Sequence, residues 1–141
     1  MHRPGGEKEA TVSIALKTPG IHHLALRVTD LERAKEFYLD KLGFNKILET
    51  EGLCIFLVGS TPIGLRAADK STPAGDRFDP HRVGLDHVAV TCEDEGELER
   101  AADALKRAGI DNTGVKRDDV LGKLYVAFKD PDGIKWEYYM A

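Results

Sequence analysis

The stretch GIHHLALRVTDLERAKEFYLDKLG, residues 20–43, decides the fold, because a strand pattern runs directly into a helix pattern. Its first half alternates as a β-strand does, which places His23 and Arg27 on the same face. Its second half carries apolar residues at helical spacing, and Gly43 supplies the stop signal. This order predicts a strand followed by an amphipathic helix.

Three short apolar runs follow, separated by breaks that contain glycine: FNKILE (44–49), LCIFLVG (53–59) and PIGLRAA (62–68). Runs of this length and composition predict antiparallel strands. Residues 19–68 are therefore predicted to form one βαβββ module.

The same order returns after residues 69–82, a predicted linker with two prolines, a glycine and many charges. GLDH at 84–87 matches GIHH at 20–23, and both open a strand pattern. A helix pattern ending at Gly109 and three further strand runs follow: IDNTGVK (110–116), KLYVAF (123–128) and IKWEYYM (134–140). The repeat predicts an α+β chain of two βαβββ modules, the second over residues 83–141.

Composition and the N-terminal tail, residues 1–18, narrow the class of protein. In the tail, TVSIAL (11–16) has the composition of an added edge strand. The net charge of −4 is opposite in sign to the surface that nucleic-acid binding needs. No apolar run reaches membrane-spanning length, and the first residues lack the apolar core of a signal peptide. A cytoplasmic protein without nucleic-acid or membrane partners is expected.

Three residues form the candidate metal site. His23 and His87 hold the same place in the two modules, and matching positions of such a repeat converge near a pseudo-twofold axis. Glu137 lies in a strand rich in aromatic residues, where a carboxylate needs a partner. Two imidazoles and a carboxylate can bind one divalent ion, Fe, Mn, Ni, Co or Zn, and leave positions open for substrate. Taken singly, each residue could instead be an ordinary packed or solvated side chain.

Three cations and one tyrosine are candidates for contact with substrate. By strand parity, the cations share faces with the candidate ligands or their repeat equivalents: Arg27, Arg66 and Lys135. Cations near a metal would suit an anionic or enolate-like substrate. Tyr125 could donate a hydrogen bond to a bound oxyanion and is the candidate catalytic residue beside Glu137. The alternative is that the cations reach solvent and the tyrosine only packs.

Three segments resemble the vicinal oxygen chelate superfamily of glyoxalase I, bleomycin-resistance and extradiol dioxygenase-like proteins: HHLALRVTDLERAKEFYLDKLGF (22–44), DHVAV (86–90) and DPDGIKWE (130–137). The resemblance implies two curved mixed sheets that form a cleft around a metal, with the final glutamate of DPDGIKWE as a ligand. In this superfamily the metal binds adjacent oxygens of the substrate and acts as Lewis acid and template. Members often form homodimers, sometimes with a shared cleft, so a homodimer is expected.

The chain departs from some members of that superfamily. Glyoxalase I and methylmalonyl-CoA epimerase usually supply a fourth ligand, Glu or Gln, where this chain has Gly64. The remaining His–His–Glu pattern is similar to extradiol dioxygenases and fosfomycin-resistance thiol transferases. The dioxygenases add a catalytic histidine between the metal ligands. In this chain His81 of the linker is the extra histidine available for that role. The thiol transferases usually carry a basic residue shortly after the last strand, and none follows here before Ala141.

Two hypotheses from different classes follow from these residues. The first is a metal-dependent enzyme that acts on a small oxygen-rich substrate as a lyase, isomerase, thiol transferase or extradiol dioxygenase. The alternative is a metal-free binding protein of the bleomycin-resistance type, which sequesters a small molecule between its modules. A drug-binding cleft has no need of a His–His–Glu set, so the sequence favours the enzyme.

Overall fold

The computed structural model describes residues 12–141, which form two four-stranded mixed sheets. Sheet 1 contains β1 (Leu24–Val28), β2 (Asn45–Thr50), β3 (Leu53–Val58) and β4 (Thr61–Ala67). Sheet 2 contains β5 (Val88–Cys92), β6 (Lys116–Arg117), β7 (Leu124–Lys129) and β8 (Lys135–Met140). The strand orders are β1-β4-β3-β2 and β5-β8-β7-β6, with β1–β4 and β5–β8 parallel and the other pairs antiparallel. The predicted α+β fold of two βαβββ modules is confirmed.

Each module has one helical element, and both start on an aspartate. Helix α1 (Leu31–Lys35) continues as a π-helical segment over residues 36–41, and α2 spans Glu95–Arg107. The Asp30 and Asp94 side chains each accept a hydrogen bond, 3.1 Å, from the backbone N–H three residues on, which satisfies an otherwise unpaired donor. Within the described residues no helix is long and apolar enough to cross a membrane.

Four predicted strands differ from those in the structure. Both modules start their first strand later than predicted, so His23 and His87 lie immediately before β1 and β5. Residues 110–116 make only an isolated bridge and the start of β6, because the side chain of Asn112 binds the Gly114 N–H, 2.8 Å, in a local turn. The predicted strand at 11–16 is irregular over its described residues, and residue 11 lies outside them.

The two modules share one hydrophobic core, and the β7–β8 turn locks them together. The buried Tyr38 hydroxyl donates to Asp130 Oδ2, 2.7 Å, and accepts from Trp136 Nε1, 2.9 Å. Asp132 Oδ2 accepts from the backbone N–H of Thr29, 2.9 Å. Burial raises the pKa of Asp130 and of Tyr38. The DPDG turn therefore joins the second module to the helix of the first.

Because each sheet turns one face to this core, the other face is available for a site. In sheet 2 the second face, here the Glu137 face, carries Ala89, Glu137 and Ala127 side by side on β5, β8 and β7. In sheet 1 the corresponding Gly64 face carries Ala25, Gly64 and Ile55 on β1, β4 and β3. The same strand order thus presents a carboxylate in one module and a bare backbone in the other.

Candidate metal centre

Glu137 sits in the middle of β8, between the two flanking strands of sheet 2. The predicted strand parity holds, since Ile134 and Trp136 point into the core while Glu137 points to the opposite face. The strand neighbours of Glu137 on both sides are alanines, Ala89 and Ala127, which leave room above its side chain. Glu137 is nevertheless 8% exposed, so its carboxylate is held in a largely desolvated position.

His87 and Lys135 are the charged or chargeable groups nearest to that carboxylate. Nε2 of His87 lies 3.4 Å from Glu137 Oε1, and Nζ of Lys135 lies 3.6 Å from Oε2. Both distances exceed those of a good hydrogen bond. The carboxylate and the imidazole therefore face each other without forming a strong hydrogen bond, so both retain the capacity to bind another partner.

Asp86 fixes the orientation of the His87 ring. Its Oδ1 lies 2.6 Å from Nδ1 of His87. This hydrogen bond holds the pKa of Asp86 below its usual range. With Nδ1 donating to Asp86, the lone pair of His87 lies on Nε2, the nitrogen that faces Glu137. A carboxylate behind a histidine is the usual outer partner of a metal-binding imidazole.

His23 has a similar arrangement at the start of the first module. Its Nδ1 lies 2.9 Å from Nδ1 of His22, and when His23 donates this hydrogen bond the lone pair of its ring lies on Nε2. His22 thus occupies the place that Asp86 occupies in the second module. Among residues 12–141, however, no group of three or more His, Cys, Asp or Glu side chains could hold a metal. A single chain brings His87 and Glu137 together and does not bring His23 to them.

The donor set fits a divalent transition metal. A buried carboxylate oxygen and a free imidazole nitrogen suit Fe, Mn, Ni, Co or Zn, and one further imidazole would complete the three-residue set. The Gly64 face offers no fourth donor at the corresponding strand position. Two of the three predicted ligands, His87 and Glu137, therefore lie together within one chain.

The tyrosine candidate lies on the Glu137 face, two residues along β7 from Ala127. The Tyr125 ring stacks on Tyr139 with ring centroids 6.0 Å apart. The Tyr139 hydroxyl is occupied, since it donates to Asp118 at 2.5 Å, and burial together with this hydrogen bond raises the pKa of Tyr139 to about 12. Tyr125 is thus the tyrosine of this pair that remains available for a substrate.

The arginine candidates lie together in sheet 1. Arg27 and Arg66 are directly opposite each other on β1 and β4, on the Gly64 face. Arg27 donates to the Ala67 carbonyl, 2.7 Å, and lies 3.6 Å from Asp69, whereas Arg66 is exposed. Lys135 belongs to the other sheet, beside Glu137. The three predicted cations therefore form two groups, one in each module.

The prediction from sequence missed the role of Asp86. The signal was present, because the residue before each histidine, His22 or Asp86, bonds to Nδ1 of that histidine. Strand alternation would place the residue before each histidine on the opposite face of the strand. Both precede their strands in the structure, where parity no longer applies.

Comparison with known proteins assigns the family. Residues 20–138 match the model of the Glyoxalase/Bleomycin resistance protein/Dioxygenase superfamily. Uncharacterized protein YwkD of Bacillus subtilis is 35% identical over 126 residues, with 84% of this chain and 94% of that protein covered. Metallothiol transferase FosB of Staphylococcus saprophyticus is 28% identical over 119 residues, covering 84% and 75%.

A solved structure supports the same assignment. The crystal structure of SMU.1112c superposes with a TM-score of 0.75 at 29% identity, covering 87% of this chain and 99% of that one. Its agreement extends over both βαβββ modules, since nearly the whole of that chain is matched. With its repeat, its two mixed sheets and a family match over residues 20–138, this chain belongs to the glyoxalase/bleomycin resistance protein/dioxygenase superfamily.

Proposed function

We propose that this protein is a divalent-metal-dependent enzyme acting on a small oxygen-rich substrate, as a lyase, isomerase, thiol transferase or extradiol dioxygenase. The observation that carries the proposal is the buried Glu137 carboxylate facing Nε2 of His87, whose Nδ1 is bound by Asp86. Such a relay fixes the tautomer and raises the basicity of a ligand nitrogen. A cleft that only sequesters a small molecule would gain nothing from it.

The third ligand, His23, comes from a second copy of the chain in this proposal. A twofold homodimer presents the same patch twice, so a contact between His23 of one copy and the His87–Glu137 pair of the other would form two equivalent sites. Exposed apolar side chains flank both segments: Ile21 is 79% exposed, and Val83 is fully exposed. Apolar surface of this kind marks a contact between proteins when it is contiguous.

The residues of the chain would then have separate roles in binding the metal and the substrate. A bound divalent metal supplies Lewis-acid polarisation of two adjacent substrate oxygens. Asp86 holds the His87 ring in place, and Glu137 brings one negative charge to the site. Lys135 and the Tyr125 hydroxyl, on the same face, can donate to a substrate oxygen that gains negative charge during reaction.

The direct test is metal binding by protein stripped with a chelator and titrated separately with Mn²⁺, Ni²⁺, Co²⁺, Zn²⁺ and, without oxygen, Fe²⁺. We expect about one ion per chain for at least one metal, and loss of that ion in Glu137→Ala and in His87→Ala. Glu99→Ala is the matched control, since it removes an exposed carboxylate from α2. It should bind metal as the wild type does.

Circular dichroism and thermal melting of the apo-proteins separate loss of a ligand from loss of the fold. The proposal is overturned if no divalent ion binds stoichiometrically to the folded wild type. It is also overturned if Glu137→Ala and Glu99→Ala bind the metal equally well. Either result would favour the alternative, a metal-free small-molecule binding protein.

A further inference from the structure

A pocket of about 540 Å³ lies at the end of sheet 2, beside the His87–Glu137 pair. Its floor is the end of β7 and β8, with Ala127, Lys129 and Lys135, and Asp86 and Asp111 also line it. Ala127 is the direct strand neighbour of Glu137, so the floor continues without a bulky side chain to the carboxylate. The volume falls within the range of small-molecule sites.

The two walls of this pocket are fixed by backbone hydrogen bonds. On one side the linker is anchored where the Phe78 N–H donates to the Asp132 carbonyl, 3.0 Å. The turn that follows, with the His81 N–H bound to Asp79 Oδ1 at 2.8 Å, brings His81 to the pocket. On the other side Thr113 exchanges two hydrogen bonds of 3.0 Å with Ala127. The pocket is therefore built by ordered segments on both sides.

Two lysines lie directly opposite each other on this floor. Lys129 and Lys135 are Cα partners in the last pair before the β7–β8 turn, and both point to the Glu137 face. Like charges directly opposite on neighbouring strands are destabilising. Lys135 lies 3.6 Å from Glu137, and Lys129 is exposed with no carboxylate within salt-bridge distance in residues 12–141. If Glu137 binds a metal, as the proposed function requires, the lysine pair loses part of its compensating charge.

We infer that Lys129 and Lys135 form a subsite for a carboxylate or another small oxyanion of the substrate, with His81 at its wall. The inference rests on the proposed function and adds a substrate class to it. The backbone of the lysine pair is two residues along the strands from Glu137, about 7 Å, while Lys135 Nζ reaches to 3.6 Å from Glu137 Oε2. The substrate would chelate the metal through adjacent oxygens at one end and carry a negative charge at the other, within reach of the two ammonium groups.

Two probes that differ only at the far end test the subsite. 2-Oxoglutarate and 2-oxopentanoate share an α-keto acid end that can chelate a metal, and only the first has a distal carboxylate. Calorimetric titration of the protein loaded with the divalent ion that it binds should show 2-oxoglutarate binding at least about tenfold more tightly, as expected for charge-assisted hydrogen bonds. In Lys129→Ala its affinity should fall to that of 2-oxopentanoate.

Matched variants make the test specific. Lys106→Ala, which removes an exposed lysine from α2, should keep the preference for 2-oxoglutarate. His81→Ala should reduce the preference by a smaller factor than Lys129→Ala. Equal affinity for the two probes in the wild type, or a preference that survives in Lys129→Ala, overturns the subsite and leaves the metal site intact. Failure of the folded wild type to take up any of the five divalent ions overturns the proposed function and the subsite together.

Discussion

The two modules of this chain share a strand order and an aspartate cap, yet they differ at the middle of the last strand. Module 2 has Glu137 there, between Ala89 and Ala127, and module 1 has Gly64, between Ala25 and Ile55. The repeat thus preserves the framework that positions a ligand while only one copy carries the carboxylate.

Packing does not require a glycine at that position of module 1. A Cβ built on Gly64 would meet Leu53 Cδ1 at 3.7 Å and Ala25 Cβ at 3.9 Å, which are ordinary contacts, and its backbone lies outside the region that favours glycine. The difference from Glu137 is therefore chemical. Module 2 brings a carboxylate and an imidazole together, and module 1 brings an exposed histidine and two arginines.

The largest expected effect comes from making module 2 resemble module 1. Glu137→Gly removes the carboxylate that faces His87, so metal affinity should fall by more than about 100-fold, the upper range for loss of an outer partner alone. Isothermal titration with the metal that the wild type binds measures the change. Retained affinity would show that Glu137 is not a ligand.

A smaller effect on metal affinity is expected from Asp86 and His22, the residues that bond to Nδ1 of His87 and His23. Asp86→Ala should lower metal affinity by about 10- to 100-fold, because the His87 ring loses a charged partner at Nδ1. His22→Ala should have a weaker effect, since an imidazole is a weaker hydrogen-bond partner for His23 than a carboxylate is for His87. The same titration compares them, and a larger loss in His22→Ala would reverse the assignment of outer partners.

A third comparison concerns the contact between the modules, in which Tyr38 of module 1 bonds to Asp130 and Trp136 of module 2. Removing these hydrogen bonds should lower the free energy of unfolding by about 1–3 kcal/mol. Tyr38→Phe leaves buried Trp136 Nε1 without its acceptor and deprives Asp130 of a donor. Tyr138→Phe is the control, because the Tyr138 hydroxyl forms no hydrogen bond within residues 12–141. Urea unfolding of both variants should show a lower midpoint for Tyr38→Phe alone. Equal midpoints would show that the hydrogen bonds of the Tyr38 hydroxyl do not stabilise the contact between the modules.

The smallest expected effect is at Gly64 itself. Gly64→Ala should raise the free energy of unfolding by about 0.5 kcal/mol, since glycine in a strand interior is less favourable than alanine. Gly133→Ala should instead destabilise, because Gly133 has a φ of +85° and its Cβ would lie 3.1 Å from Arg77 Nη2. Denaturant unfolding of the two variants measures whether each substitution raises or lowers the free energy of unfolding. Destabilisation by Gly64→Ala would mean that module 1 does require glycine there.

The framework was predictable from sequence because periodicity encodes it. Alternation placed Glu137 opposite Trp136, and glycines at both GIHH and GLDH reflect backbones with φ of +139° and +136° at Gly20 and Gly84. The residues of KDPDG (129–133) are typical of a tight turn, whereas no local pattern reports the contact of that turn with Tyr38, because the two segments are distant in the sequence. Which of His23, His87 and Glu137 lie together could not be predicted from the sequence for the same reason.

Complementation between two inactive variants tests the central claim most directly. His23→Ala and Glu137→Ala are each expected to lack a complete metal site. If His23 of one copy serves the His87–Glu137 pair of another, dissociating and reassociating an equal mixture should restore about one quarter of the wild-type metal sites, since half of the dimers become mixed and each mixed dimer has one intact site. No recovery in a mixture shown to contain mixed dimers would contradict a site shared between two copies.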